Sequence, residues 1–386
     1  MSQRATTVEG VRRTNLAEVL RLVHHSGPRS RAVITGETGL NRSTVSDLVG
    51  RLVAAGLVEE HEPDPTRRVG RPSPVVAPSS DVVAIGVNPE IDAVEIGAVS
   101  LGGAVRERVR IPVDGPDVAD VVDIVVRVVA GWRDDELRGS HVEGVGLAVP
   151  GLVRASDGLV RLAPHLEWRD ADIAGPLGAR LGLEVVVGND ASLGARAERL
   201  FGAAREHQDV VYLNGGASGI GGGLILHGTL IGGVGGYAGE WGQTSASVSD
   251  AADRRADGGV LEDEVNRARL VHAVGLTAPD DEQLRAALTA PPSGRVVAEV
   301  ARQRRILTAT LGNAVNVLNP SMIVLGGFLG ILRDLDPEAF DEEVRRRALA
   351  ASAEGLEIST AALGADRLLI GAADAAFERL LADPLG

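Results

Sequence analysis

The chain has 386 residues, 44% of them hydrophobic, and a formal net charge of −14; this length predicts two or three domains, and the composition excludes a largely disordered chain. The absence of Cys excludes both a disulfide framework and a thiolate-held metal. All 39 basic residues are Arg, and residues 1–80 carry a net +3 while the remainder carries −17, so only the head of the chain suits a polyanion.

No uncharged apolar run approaches the roughly 18 residues of a membrane helix, and the polar start MSQRATTVEGVRR lacks the apolar core of a secretory signal. The expectation is a cytoplasmic protein with no membrane partner.

In the head, Leu16, Val19, Leu20 and Val23 recur at helical spacing until Gly27-Pro28 stops the helix. A second, shorter helix runs from about Ser30 to Glu37. Thr38-Gly39-Leu40 reads as a tight turn in which Gly39 supplies a positive φ. Asn41 is a good N-cap for a third helix, Arg42 to Ala55, whose apolar face is Val45, Leu48, Val49, Leu52 and Val53. Gly56-Leu57-Val58 leads into a strand, and residues 59–76 have room for a hairpin.

This is the spacing of a winged helix-turn-helix. The third helix would enter a major groove of double-stranded DNA, presenting Arg42, Ser43, Thr44 and Ser46, with Arg51 further along. A three-helix packing or dimerisation module is the alternative. In Arg67-Arg68-Val69-Gly70-Arg71-Pro72, Gly70 and Pro72 keep the backbone thin around Arg71, which would suit a narrow minor groove. A solvated linker with chance arginines fits the same residues.

A Pro-rich stretch over residues 62–80 marks a boundary, giving a DNA-binding domain over 1–78 and a body over 79–386. The body alternates strands and helices, an α/β pattern. Strands are expected at 82–87, 145–149, 185–187, 210–213 and 323–325. Helices are expected at about 117–132, 191–206, 262–274 and 295–318. A strand, Gly-rich turn, helix succession recurs in its two halves.

Two Gly-rich stretches stand out. Asn214 to Gly223 follows a strand; its amides could cradle a phosphate, or it could be a tight hairpin. Gly232 to Gln243 sets Glu240 and Gln243 among glycines, with room for a ligand. Asn189-Asp190, at a strand's C-terminal end, suits a polyol, the carboxylate accepting from hydroxyls; Asp190 could also cap the following helix.

Taken together, Arg31…Thr38-Gly39-Leu40, Gly70-Arg71-Pro72, Gly144 to Gly151, Pro164 to Asp170, Asn189-Asp190-Ala191, Gly219 to Gly223, Gly239-Glu240-Trp241-Gly242, Leu318-Asn319-Pro320 and Leu325-Gly326-Gly327 form an ordered series. In this series the chain resembles the ROK family (repressors, open reading frames and sugar kinases), in its repressor branch. The resemblance implies a body of two ribonuclease-H-like lobes with sugar in the cleft, and homodimers or dimers of dimers. It implies sugar contacts from Asn189 and Asp190, the latter the general base in kinase members, and from Glu240 and Glu262. A family His falls at Gln243.

The resemblance also exposes departures. The family's zinc cysteines fall at Asp253, Arg255 and Val260, so no metal is expected. Where kinases carry Asp-x-Gly-Gly-Thr, this chain has Asn88-Pro89-Glu90-Ile91. Asn88 lacks the charge, Pro89 lacks an N–H, and Glu90 would repel a triphosphate. The expectation is a sugar- or sugar-phosphate-responsive transcriptional regulator, a repressor of carbohydrate metabolism or uptake genes, that is not an enzyme and carries no cofactor. An ATP-dependent sugar kinase with an accessory DNA-binding head and a ligand-independent regulator with a degenerate sugar site are the alternatives.

Overall fold

The structure, a computed structural model, describes residues 8–62, 73–216, 219–246, 248, 250–277, 279–291 and 293–386. The described chain forms two compact units. One holds the residues to Gly151, Gly158–Gly188 and Leu368–Gly386; the other holds Leu152–Asp157 and Asn189–Arg367.

In the first unit the head contributes helices Val8–Ser26, Arg31–Thr38 and Arg42–Ala54. Leu16, Val19, Leu20, Val23, Ile34, Val45, Leu48, Val49 and Leu52 form its core. Val53, expected on the apolar face, is 39% exposed. At about 100° per residue it falls some 80° from Val45, at the edge of the stripe that Val45, Leu48 and Leu52 occupy. Ser30 caps the second helix through Val33 N–H, and Gly39 ends it at φ 68°. Strands Val58–His61 and Val75–Pro78 pair antiparallel as the expected hairpin, and Arg29–Ser30 adds a third strand.

The lobe in this unit is a five-stranded sheet in the order Glu184–Asn189, His141–Val149, Val82–Pro89, Ala93–Ser100, Val105–Pro112. Val82–Pro89 runs parallel to His141–Val149 and antiparallel to Ala93–Ser100. Helix Val118–Asp134 starts at a capping box of Asp117 and Asp120. Helix Arg367–Ala376 lies against the sheet over bare backbone. A Cβ at Gly146 would stand 1.8 Å from the Ala372 carbonyl oxygen, and one at Gly86 2.3 Å from that of Leu369.

The second unit repeats the topology, with strands in the order Thr229–Leu230, Ile220–Leu226, Val210–Gly215, Met322–Gly326, Glu357–Thr360. In both sheets a three-stranded meander is extended from its first strand by two later ones. Hydrophobic residues of helix Gly294–Leu318, among them Ile306, Leu307, Leu311 and Val315, pack with Ile323, Leu325 and Phe328 in one core. The helix expected over 191–206 is Asp190–Leu200, and beyond its end Ala203 N–H donates to the Glu198 carboxylate. The helix expected over 262–274 is broken into Leu261–Glu264 and Arg267–Val274. Among the described residues no helix is long and apolar enough to cross a membrane.

Candidate functional site

The head's third helix begins at Asn41, whose Oδ1 accepts from Thr44 N–H at 2.9 Å and from the Ser43 hydroxyl at 2.7 Å. Arg42, Ser43 and Ser46 are exposed and Thr44 half-buried. Ser46 accepts from Arg31 Nη1 at 2.9 Å, and the same guanidinium grips both oxygens of Glu60 at 2.5 and 2.6 Å. One side chain thus joins the second helix, the third helix and the strand Val58–His61. Arg51 faces Asp47 on its own helix, Arg12 faces Glu9, Arg29 faces Glu37 and Arg13 faces Asp383. Arg67, Arg68, Gly70 and Arg71 lie outside the described residues.

The candidate effector residues fall in the second unit. Asn189, not Asp190, caps the helix: its Oδ1 accepts from Ser192 N–H at 2.9 Å, and its Nδ2 donates to Asp190 Oδ1 at 3.2 Å. This corrects the capping role expected for Asp190. Asp190 also accepts from Ala191 N–H at 2.8 Å. Burial pushes its pKa up to about 6, against the lowering influence of the Ala191 amide and the Arg367 guanidinium. Glu240 is raised too, first by desolvation and then by the charges of Asp190 and Glu262. Glu240 therefore lies within electrostatic reach of both other carboxylates. Glu262 accepts from Gln243 Nε2 at 2.5 Å and from Ile220 N–H at 3.1 Å. A Cβ at Gly219 or Gly242 would stand 2.5 Å from Glu262 Oε2, so both glycines make room for that carboxylate. A site rich in acceptors is relieved by a ligand that offers several hydroxyl hydrogens.

Sequence reasoning missed Arg367, which acts electrostatically on both Asp190 and the buried Tyr212, whose hydroxyl burial pushes up to about 12. It stands in no motif, so only the fold brings it here.

Strands Val210–Gly215 and Ile220–Leu226 pair through Gly215 and Ile220, and Gly216 N–H donates to Gly219 C=O at 2.9 Å. Of the two readings of that stretch, the described residues form the hairpin. In the other loop, Pro89 has no N–H and Glu90 N–H is spent on Ala93 C=O at 2.7 Å. Asn88 Nδ2 donates to Glu90 Oε1, and Arg110 to Glu90 Oε2, at 3.1 and 3.0 Å. This loop offers an anionic side chain where a phosphate cradle would offer amides.

The residues at the zinc positions do not fit a metal. Asp253 is held by Arg305 at 2.7 and 2.9 Å, Arg255 is cationic and donates to backbone carbonyls, and Val260 has no donor atom. The adjoining loop is fastened instead by Arg302, which is 2% exposed. Its five N–H groups reach Glu264 Oε2, Glu264 C=O, Asp253 C=O and both Glu299 oxygens at 2.6–3.0 Å. Glu264 in turn accepts from the Arg255 and Ala256 amides.

These features agree with what the chain is similar to. Over 383 residues it is 25% identical to the xylose repressor of Caldicellulosiruptor bescii, covering 94% of each chain. A solved ROK family transcriptional regulator, described as a homolog of the E. coli MLC protein, superposes with a TM-score of 0.76 at 22% identity, over 97% of this chain and 98% of that one. A ROK family glucokinase from Streptomyces griseus, solved with glucose and AMPPNP, gives 0.60 at 25% identity, over 76% of this chain and 98% of that one. A MarR family model matches residues 17–68, in the head. The ROK family model matches residues 85–379, most of the chain, and this protein belongs to the ROK family.

Proposed function

We propose that this protein is a sugar-responsive transcriptional regulator, a repressor. Residues 1–78 bind double-stranded operator DNA through Arg42, Ser43, Thr44, Ser46 and Arg51, with Arg67, Arg68, Gly70 and Arg71 reaching a minor groove. Residues 79–386 hold a sugar or sugar phosphate through Asn189, Asp190, Glu240, Gln243 and Glu262, without phosphorylating it, and form a homodimer or dimer of dimers. The protein works in the cytoplasm, with no cofactor. Sugar shifts the population between conformations that present the heads to two half-sites differently.

The observation that carries this reading is the set of carboxylates Asp190, Glu240 and Glu262, in a chain where Pro89 has no N–H and the Glu90 N–H is spent on Ala93 C=O. One observation favours a sugar kinase instead: a carboxylate with a pKa near 6, such as Asp190, is suited to take a hydroxyl proton. The test pairs two measurements on the full chain. Binding to a duplex from its own upstream region is followed with and without D-xylose and D-glucose, and a coupled assay looks for ATP-dependent phosphorylation of both. Sugar-dependent DNA affinity without turnover is expected. Turnover of either sugar would restore the kinase reading.

A further inference from the structure

A wide cleft in the second unit is lined by none of the candidate effector residues. It has a volume of about 850 Å³ and lies where the loop through Asp253 and Arg255, helix Arg267–Val274 and the first turns of helix Gly294–Leu318 meet. Its charged side chains divide into two sets. Arg302 and Arg305 are spent on carboxylates: Arg302 reaches Glu264 and Glu299, and Arg305 holds Asp253 at 2.7 and 2.9 Å. Glu299 also accepts from Gln303 Nε2 at 2.8 Å. Of the acids in the described lining, that leaves only Asp263 without a cation.

The second set is Arg255, Arg269 and Arg295, and among the described residues none of the three pairs with a carboxylate. Arg255 donates to the Ala252 and Arg254 carbonyls, and Arg269 to those of Arg255 and Asp263 at 3.2 and 3.4 Å. A carbonyl gives a guanidinium a dipole but no countercharge. Arg269 Nε is buried and has no hydrogen-bond partner, a donor left in want of an acceptor. Arg295 is exposed, in the first turn of helix Gly294–Leu318, where the backbone N–H groups already make the local potential positive. A cation there works against its own helix, so helix stability gives no reason for it. Because every basic residue of the chain is Arg, residue type says nothing here; what matters is that three without a countercharge line one cleft.

We infer that this cleft binds a small phosphate ester through Arg255, Arg269 and Arg295, at a site apart from Asn189, Asp190, Glu240, Gln243 and Glu262. Three guanidiniums against the single carboxylate of Asp263 leave the cleft positive, in a body that is otherwise strongly acidic. A phosphate dianion meets that charge. Its oxygens accept from several guanidinium forks at once, and it brings the acceptor that Arg269 Nε lacks. The volume is that of a site for a small metabolite and exceeds what a bare phosphate fills, so the ligand is an ester and not the free ion. The site stands whether or not Asp190 contacts a sugar.

The experiment is calorimetric titration of the full chain at one ionic strength held with NaCl, at about pH 8, where phosphate esters are dianions. The probes are inorganic phosphate, D-glucose 6-phosphate and D-fructose 1,6-bisphosphate, with D-glucose alongside. Both esters should bind saturably, about tenfold or more tighter than inorganic phosphate. Arg269→Met should weaken them by about tenfold. So should Arg295→Glu, which suits the start of a helix and should not lower the melting temperature without ligand; it keeps the test decisive if Arg269→Met folds poorly. Asp190→Asn should bind the esters as wild type does. Ester binding lost in Asp190→Asn but kept in both arginine variants assigns the phosphate to the sugar residues and overturns the proposal. Equal affinity for inorganic phosphate and the esters overturns it, as does no binding of any phosphate probe. D-glucose should bind the arginine variants as it binds wild type; if it binds neither, the sugar reading loses support while the ester titrations still decide this site.

Discussion

Gln243 donates from Nε2 to Glu262 Oε1 at 2.5 Å, and this bond, with the Ile220 amide on the other oxygen, fixes how the Glu262 carboxylate is aimed. A residue that the family pattern would make a histidine thus positions a neighbouring acceptor. Gln243→Ala should weaken sugar binding by about 1–3 kcal/mol, the range for losing a charge-assisted hydrogen bond. Calorimetric titration checks it. Glu262→Gln should lose at least as much, because it removes the acceptor that both donors serve.

Asp190 couples binding to stability. Burial raises its pKa from 3.8 to about 6, so the carboxylate binds its proton more tightly in the folded chain than in the unfolded one. The folded state is therefore favoured below the unfolded value, and loses that advantage as pH climbs through 6. At pH 8 Asp190→Asn should raise stability by roughly 1–3 kcal/mol, and the difference should shrink toward pH 4.5. Thermal unfolding at several pH values measures it, and sugar affinity should fall in the same variant.

Arg302 and Glu264 fasten the loop that carries Asp253 and Arg255. Arg302→Met leaves a fully buried carboxylate unpaired and should destabilise the protein by about 3–5 kcal/mol. Adding Glu264→Leu should return much of that loss, since the second substitution removes the stranded charge. Purified wild type should contain no stoichiometric zinc, and its melting temperature should not move with a chelator. One zinc per chain by elemental analysis would refute this.

On the DNA side, Thr44 and Ser46 should set base preference, at roughly 1–3 kcal/mol per good contact. Ser46→Ala should do more than Thr44→Ala, because Ser46 also receives Arg31. Arg71→Ala should lower affinity most on operators with A·T-rich flanks, where a narrow minor groove attracts Arg. Anisotropy titrations at one fixed salt concentration, on wild-type and flank-substituted duplexes, separate the two. Equal binding of Arg71→Ala on every flank would reduce Gly70-Arg71-Pro72 to a linker.

Much of the fold was legible because it is local. Asn41, Gly39 and the spacing of Val45, Leu48 and Leu52 each act within one or two turns of backbone, and all fall where periodicity and capping put them. Val53 misled because residue type alone does not say how wide an apolar stripe is. The capping role went to the wrong member of Asn189-Asp190 because either residue can serve, and only the backbone decides. Distant partners left no local trace. Arg302 reads as one more polar residue on a long helix until Glu264, 38 positions away, is beside it. His24 and Asp374 stand 350 positions apart. Arg367 lies in no motif at all.

The arginines of the head have a consequence for how it holds DNA. Arg12, Arg13, Arg29, Arg31 and Arg51 each stand within 4.0 Å of a carboxylate of the same chain. A cation already balanced in this way displaces few counterions when it meets a phosphate. On the proposed reading, the described part of the head should grip mainly by shape and hydrogen bonding, and the slope of affinity against ionic strength should be shallower than its number of arginines implies. On that reading, this regulator should keep its sites through swings in salt that would strip a more nakedly charged head from the duplex.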